Sequence, residues 1–247
     1  AGFIIKPLED LTLTLDYWNY DFDNPIVTES FNGLVSAYAA GGDAKAAVQS
    51  QIFCTGGSND GSCAASGIER IESMTINGPS IETSGVDVFV DYQMELGAGF
   101  ATFGLDASHT LEYEQDAYFK SGVLVGAAYD AAGYLNASRT ARPIPDLKGR
   151  VFGEYTLDQH NFLVYVNHIT SYEDERYEGT EVDSQTTYDL HYQYAFMDDQ
   201  ARVTVSAMNI TDEDPPLARL DLSYDGYTHN AFGRMIKVGI EYTIGEF

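Results

Sequence analysis

The sequence predicts an all-β chain, an antiparallel transmembrane β-barrel portion of about nine strands. Three observations predict it. Apolar and polar residues alternate at every second position in one segment after another, the period of a strand with two unlike faces. The connections between these segments are alternately short and long along the whole chain. No apolar run approaches the ~18 residues that a membrane-crossing helix needs, whereas the alternating segments run on the order of ten residues, the length of a tilted strand that crosses a bilayer.

The elements follow in order. A truncated strand is expected over Phe3 to Ile5. Segment 11 to 17 sets Leu11, Leu13, Leu15 and Tyr17 against Thr12, Thr14 and Asp16. Segment 86 to 94 sets Val86, Val88, Val90, Tyr92 and Met94 against Asp87, Phe89, Asp91 and Gln93. Segment 101 to 107 sets Ala101, Phe103, Leu105 and Ala107 against Thr102, Gly104 and Asp106. Two strands near 147 to 157 and 161 to 172 are less clean; in the second, either Phe162, Val164 and Val166 or Leu163, Tyr165 and Ile169 fit the apolar face. Segment 188 to 196 sets Tyr188, Leu190, Tyr192, Tyr194 and Phe196 against Asp189, His191, Gln193 and Ala195. Val203, Val205 and Ala207 oppose Thr204 and Ser206, and the last strand sets Ile236, Val238, Ile240, Tyr242 and Ile244 against Lys237, Gly239, Glu241, Thr243 and Gly245.

The short connections are residues 6 to 10, 96 to 99, 157 to 160 and 197 to 200; the long ones are 23 to 80, 114 to 146, 174 to 184 and 210 to 233. A transmembrane barrel has short periplasmic turns and long extracellular loops. A soluble sandwich shows the same alternation within its strands, with the apolar face buried inside. The loop pattern, and tyrosines at strand ends like an aromatic girdle, decide for the barrel. The apolar face then meets lipid, and Asp87, Asp91, Asp106, Asp189, His191, Lys237 and Glu241 are the candidate lumen-facing residues. Charges are costly on a lipid face and ordinary inside a wide barrel.

Composition excludes other classes. The 38 acidic against 13 basic residues leave a formal net charge of -25, which repels nucleic acid and anionic membrane surfaces. The opening "AGFIIKPLED" has no basic region and no cleavage pattern, so the expectation is a leader already removed or a piece of a longer chain. Nine strands is an odd count, and complete single-chain bacterial barrels have an even one, so the chain is expected to be a fragment.

At its end the sequence resembles a known family. "VTVSAMNITDEDPP" (203 to 216) and "YDGYTHNAFGRMIKVGIEYTI" (224 to 244) look like the carboxy-terminal end of TonB-dependent outer-membrane receptors. "LTLTLDYWNYDFDNPI" (11 to 26), "NGPSIETSGVDVFVDYQ" (77 to 93) and the proline-containing hairpin at 142 to 174 are similar to further family elements, in the same order. The resemblance implies that residues 1 to 247 are the last part of a 22-stranded barrel, with the plug domain and earlier strands absent. It implies uptake of a nutrient ligand through a plugged barrel, with the TonB complex, the rest of the receptor, outer-membrane lipid and lipopolysaccharide as partners. The sequence departs from the pattern at its end: Ile244 stands where the family has an aromatic residue, and Phe247 has the wrong parity for the lipid face. The segment that carries a TonB box lies outside these residues.

Few residues invite other chemistry. His109, His160, His168, His191 and His229 fall on different elements without metal-ligand spacing, and no GxSxG motif occurs. No catalytic residue, cofactor or metal is therefore expected. The acidic runs 112 to 116, 172 to 183 and 211 to 216 read as solvated loops, or as ligands for divalent cations that bridge lipopolysaccharide phosphates, though none has EF-hand spacing. Tyr113, Tyr118, Tyr129, Tyr134 and Tyr177 suit a ligand platform or loop packing equally. Cys54 and Cys63 bracket the turn-forming "TGGSNDGS", and two cysteines this close in an oxidising compartment are expected to pair. Residues 32 to 53 are Ala-rich and broken at Gly41-Gly42, which suggests a short helix on an extracellular loop. Two functions remain: TonB-dependent uptake, and a passive porin-like or surface-scaffold barrel without coupling. The acidic loops disfavour strongly anionic ligands such as ferric siderophores and leave neutral sugars, peptides and cations open.

Overall fold

The computed structural model describes residues 1–198 and 200–244. Nine strands form one antiparallel meander in chain order: β1 (Gly2–Leu8), β2 (Leu11–Phe22), β3 (Ile81–Leu96), β4 (Gly99–Gln115), β5 (Leu147–Leu157), β6 (His160–Ile169), β7 (Gln185–Phe196), β8 (Ala201–Met208) and β9 (Met235–Tyr242). A two-residue strand, Tyr129–Asp130, adds to the far end of β4. The first strand is longer than the truncated Phe3 to Ile5 read from the sequence, because Leu8 pairs with Leu11 across a two-residue turn. Gly97 and Asp158 enter their two-residue turns at φ 64° and 50°, the left-handed backbone that tight hairpins use. Every long connection therefore lies at the opposite end of the sheet from the short turns.

Register sorts the side chains. One cross-strand row runs Ile5, Leu13, Val90, Leu105, Val151, Val166 and Tyr188. The next runs Leu11, Tyr92, Phe103, Gly153, Val164, Leu190, Ala207 and Ile236. The ambiguity in β6 is thereby resolved: Phe162, Val164 and Val166 belong to the apolar face, and Leu163, Tyr165 and Ile169 to the other. Hydrogen bonding forces this choice, since a one-residue slip would turn every side chain of β6 over. Among the described residues nothing covers the apolar face: Ile236, Val238 and Ile240 are 71%, 64% and 77% exposed. A soluble sandwich would bury them.

Two small cores lie in the loops rather than in the sheet. The first joins the β2–β3 and β4–β5 loops. It holds Leu34, Ala37 and Tyr38 of α1 (Phe31–Ala40), Val48 of α2 (Gly42–Val48), Ile52 and Val125. Ser30 caps α1, its Oγ accepting from the Gly33 amide at 3.1 Å, and Gly41 at φ 78° separates the two helices. The sequence suggested one short helix broken at Gly41-Gly42; the break yields two. The second core, Leu135, Tyr172, Val182 and Ala218, ties the β4–β5, β6–β7 and β8–β9 loops together.

The acidic run 112 to 116 reads as a loop in the sequence, but Glu112, Glu114 and Gln115 lie within β4, which stays paired with β3 as far as Ile81. Leu111 is the extra residue of a bulge opposite Ser84 and Gly85, and it resets the facing of everything after it. Gly245, Glu246 and Phe247, including the terminal parity expected for Phe247, lie outside the described residues.

Candidate functional site

The seven charged or polar candidates share one face of the sheet, opposite the apolar rows. Asp87 accepts from Ser108 Oγ at 2.6 Å, Asp91 from Gln93 at 3.3 Å, and Asp106 pairs with Arg150 at 3.1 Å. Asp189 accepts from Asn167 at 2.9 Å and from the Asn209 amide at 2.8 Å. His191 Nδ1 lies 2.8 Å from Ser206 Oγ, Lys237 is registered opposite Ser206, and Glu241 lies 3.9 Å from Arg202. These groups are strung over β3, β4, β7 and β9 with local partners, and do not converge on one point. The face also carries Phe89, Phe152 and Leu163, so it is mixed rather than purely polar.

Convergence occurs in the loops instead. Cys54 and Cys63 form a disulfide, with Cα atoms 5.8 Å apart. Tyr38 packs on it, its hydroxyl donating to the Cys63 carbonyl at 3.0 Å, and Lys45 Nζ lies 4.5 Å from the Tyr38 ring. Beside this, Glu29 is buried in a knot. Lys120 Nζ donates to it at 2.6 Å, Tyr118 Oη at 3.0 Å and the Met74 amide at 3.2 Å, and Gln51 Nε2 also donates to it. Burial alone would push the Glu29 carboxyl up; the bonds from Lys120, Gln51, Met74 and Tyr118 outweigh it and hold the carboxyl below its ordinary range. The Tyr118 phenol is pushed up to about 12, first by burial and then by Glu29.

The second loop core has its own buried network. Tyr172 Oη donates to Asp225 at 2.8 Å, and His229 lies between Tyr172 Oη at 3.1 Å and Gln185 Oε1 at 2.9 Å. Burial, ahead of the neighbouring Asp225, raises the Tyr172 phenol, and burial lowers the His229 imidazole. Asp174 is held down by Arg176, which it grips through two side-chain bonds of 2.8 and 2.9 Å. His229, read from the sequence as one scattered histidine, is thus a tie between loops. Its partners stand 44 and 57 residues away, so no local spacing announces it.

Between the β2–β3 and β4–β5 loops lies a cleft of about 450 Å³, continuous with a second hollow of about 510 Å³. Glu29, Ser30, Asn32, Gln115, Ser138, Arg139 and Thr140 line both. Tyr118 and Tyr129 line the first and Tyr113 the second, so three of the five tyrosines singled out in the sequence meet here. Tyr134 stands behind Arg139, and Tyr177 packs elsewhere, under Arg176 and Arg219. Clefts of this size with a few convergent polar groups are where small ligands bind.

No family model matches the chain, and no curated protein matches it. Solved structures do. The ferric enterobactin receptor PfeA of Pseudomonas aeruginosa, as a mutant in complex with enterobactin, is similar with a TM-score of 0.57 at 14% identity. Two further mutants of the same receptor are similar with a TM-score of 0.56 at 13% identity. Each match covers 97% of this chain, which spans only about 30% of the receptor's length. The meander, its alternating turns and loops and this likeness agree: the chain has the fold of the part of the ferric enterobactin receptor that it matches, an antiparallel β-sheet of barrel type.

Proposed function

We propose that the chain is the carboxy-terminal barrel portion of an outer-membrane receptor that imports a nutrient ligand with energy from the TonB complex. The observation that carries this reading is the apolar face, continuous across nine strands and bare of cover among the described residues, opposite a face that holds Asp87, Asp91, Asp106, Asp189, His191, Lys237 and Glu241. Lipid covers the first face, and the second lines a lumen shared with a plug that belongs to the rest of the receptor. The long loops, cross-braced by two buried polar networks and stiffened by a disulfide within the β2–β3 loop, stand outside the cell, where lipopolysaccharide surrounds them. The PfeA structures hold enterobactin in one case, and binding of a ligand at the outer end is the corresponding role here.

The test is uptake in cells that carry the complete receptor. Accumulation of ligand is expected to stop when the proton-motive force is collapsed or TonB is removed, while binding at the surface persists. Uptake indifferent to both treatments, with steady ion conductance in planar bilayers, would replace this reading with a passive porin-like barrel. The solved structures similar in fold are named as receptors, and the chain is read accordingly.

A further inference from the structure

A row of aromatic rings runs along β2 on the wrong face for burial. Trp18, Tyr20 and Phe22 occupy alternate positions, with adjacent ring centroids 5.9 and 6.1 Å apart and adjacent ring planes at 33° and 25°. They share a face with Asp87 and not with Leu15. Trp18 is registered opposite Gly85, and a Cβ on that glycine would lie 2.2 Å from Trp18 Cζ2, so the indole lies across the space that Gly85 leaves empty. Tyr20 and Phe22 are 57% and 48% exposed. Trp18 is partly buried over Gly85, but Tyr20 and Phe22, exposed in the same row on the face that carries the charges, are not explained by packing within this chain.

The row joins two hollows. At its lower end Trp18 and Tyr20 border a shallow pocket with Asp87 and Ser108. At its upper end Phe22 is registered opposite Ile81, and Tyr20 opposite Thr83, whose other neighbour is Tyr113. Ile81 and Tyr113 line the hollow of about 510 Å³ at the loops. Its polar lining is mostly hydroxyl and amide, from Ser30, Asn32, Gln115, Ser138 and Thr140. The one guanidinium there is already engaged: Arg139 lies 4.7 and 4.8 Å from the rings of Tyr129 and Tyr134 and donates to the Asp130 carbonyl and to Asn136 Oδ1.

This set of groups selects a ligand chemistry. Hydroxyl, amide and carboxylate groups exchange hydrogen bonds with hydroxyls. Flat rings in series accept the apolar C–H faces of pyranose units in series. The registered pair Asp16 and Asp87, in a chain of net charge -25, repels anions. We propose that the loop hollow and the Trp18–Tyr20–Phe22 row form one binding track for a neutral oligosaccharide, led from the loops down the polar face. This rests on the receptor reading and names its ligand class. The same rings beside Asp87 would also attract an organic cation. The length of the row and the hydroxyl-rich hollow fit a chain of sugar units better than a point charge.

The test uses the complete receptor in outer-membrane vesicles, with maltohexaose, cellohexaose and xylohexaose as probes and choline as the cationic control. At least one hexaose is expected to bind saturably and to perturb the fluorescence of Trp18, the single tryptophan of these residues, with the change lost in Trp18→Phe. The double change Tyr20→Ala with Phe22→Ala is expected to weaken binding about tenfold or more, as loss of two ring contacts implies. Phe89→Ala, on the same face but away from the row, is expected to leave affinity unchanged and to show that the vesicles hold folded receptor. Failure of all three hexaoses to bind, tighter binding of choline, or an equal loss in Phe89→Ala would each overturn the proposal. Energy-dependent import of some other ligand in the same cells would then leave the receptor reading standing. Hexaose binding without energy-dependent uptake would sink that reading and keep the track.

Discussion

Glu29 shows how single residues hold the loops. Its carboxylate is the acceptor on which Lys120, Tyr118, Gln51 and the Met74 amide converge, from three stretches of chain. Glu29→Gln removes the charge that Lys120 faces and should cost about 2–3 kcal/mol of loop stability, since a partly buried ammonium loses its partner. The readout is protease cleavage of the β2–β3 loop in the folded receptor; cleavage at the wild-type rate would refute the assigned role. The pH dependence has a definite sign. A carboxyl whose folded value is depressed adds stability above its ordinary value of 4.5, and that stability is lost as pH falls through the folded value. Loop protection should therefore persist at neutral pH and decline in acid below that value, and Glu29→Gln should flatten the decline. The Cys54–Cys63 bridge acts at the same scale. Closing so short a loop contributes roughly 2–3 kcal/mol in the chain-entropy model. Non-reducing peptide mapping should find the two cysteines linked, and recovery of both as free thiols would show that the bridge is not formed in the native protein.

At the scale of the element, facing decides tolerance. Val88 is registered between Leu15 and Ala107 on the apolar face, whereas Asp91 stands between Thr12 and Gly104 on the other. Val88→Arg should cost roughly 2–4 kcal/mol if the strand middle lies at the bilayer midplane, and Asp91→Asn much less. Equal yields of assembled, heat-modifiable receptor from the two variants would refute the facing. Gly85 is a second test of the same strand. A Cβ there meets Trp18 at 2.2 Å and the His109 carbonyl at 2.6 Å, so Gly85→Ala should cost about 1–3 kcal/mol and shift the Trp18 emission. An unchanged spectrum and unchanged thermal stability would mean the indole does not lie over the glycine.

For the whole molecule, the sheet is an open meander: β1 pairs only with β2, and β9 only with β8, among the described residues. Each unpaired backbone group in hydrocarbon costs several kcal/mol, so in a membrane both edges need partners. Residues 1 to 247 alone are expected not to yield a detergent-stable, heat-modifiable monomer. They should do so when joined to the rest of the receptor. Refolding the 247-residue chain and running it unboiled on a gel decides this, and a compact, protease-resistant monomer would favour the porin-like barrel.

The sequence by itself determined the strands, their order and which residues share a face, because side chains alternate along a strand regardless of what the strand meets. It determined the turn and loop ends, through short Gly and Asp turns against long insertions, and the cysteine pairing, through nearness in the chain. The row of Trp18, Tyr20 and Phe22 lies beyond the segment 11 to 17 read as a strand, and emerges only because the strand runs on to Phe22. Tertiary structure decided what depends on distant partners. The register against β5 and β7 chose between the two faces of β6. Pairing with β3 carried Glu112 and Glu114 into a strand where composition suggested a loop, and the bulge at Leu111 set their facing. Glu29 and His229 acquired their roles from partners that lie 22 to 91 and 44 to 57 residues away, respectively, through hydrogen bonds that exist only once separate loops have docked. Alternation is a local property of the backbone and can be read in order; convergence of polar groups from several loops is a property of packing and leaves no period to read.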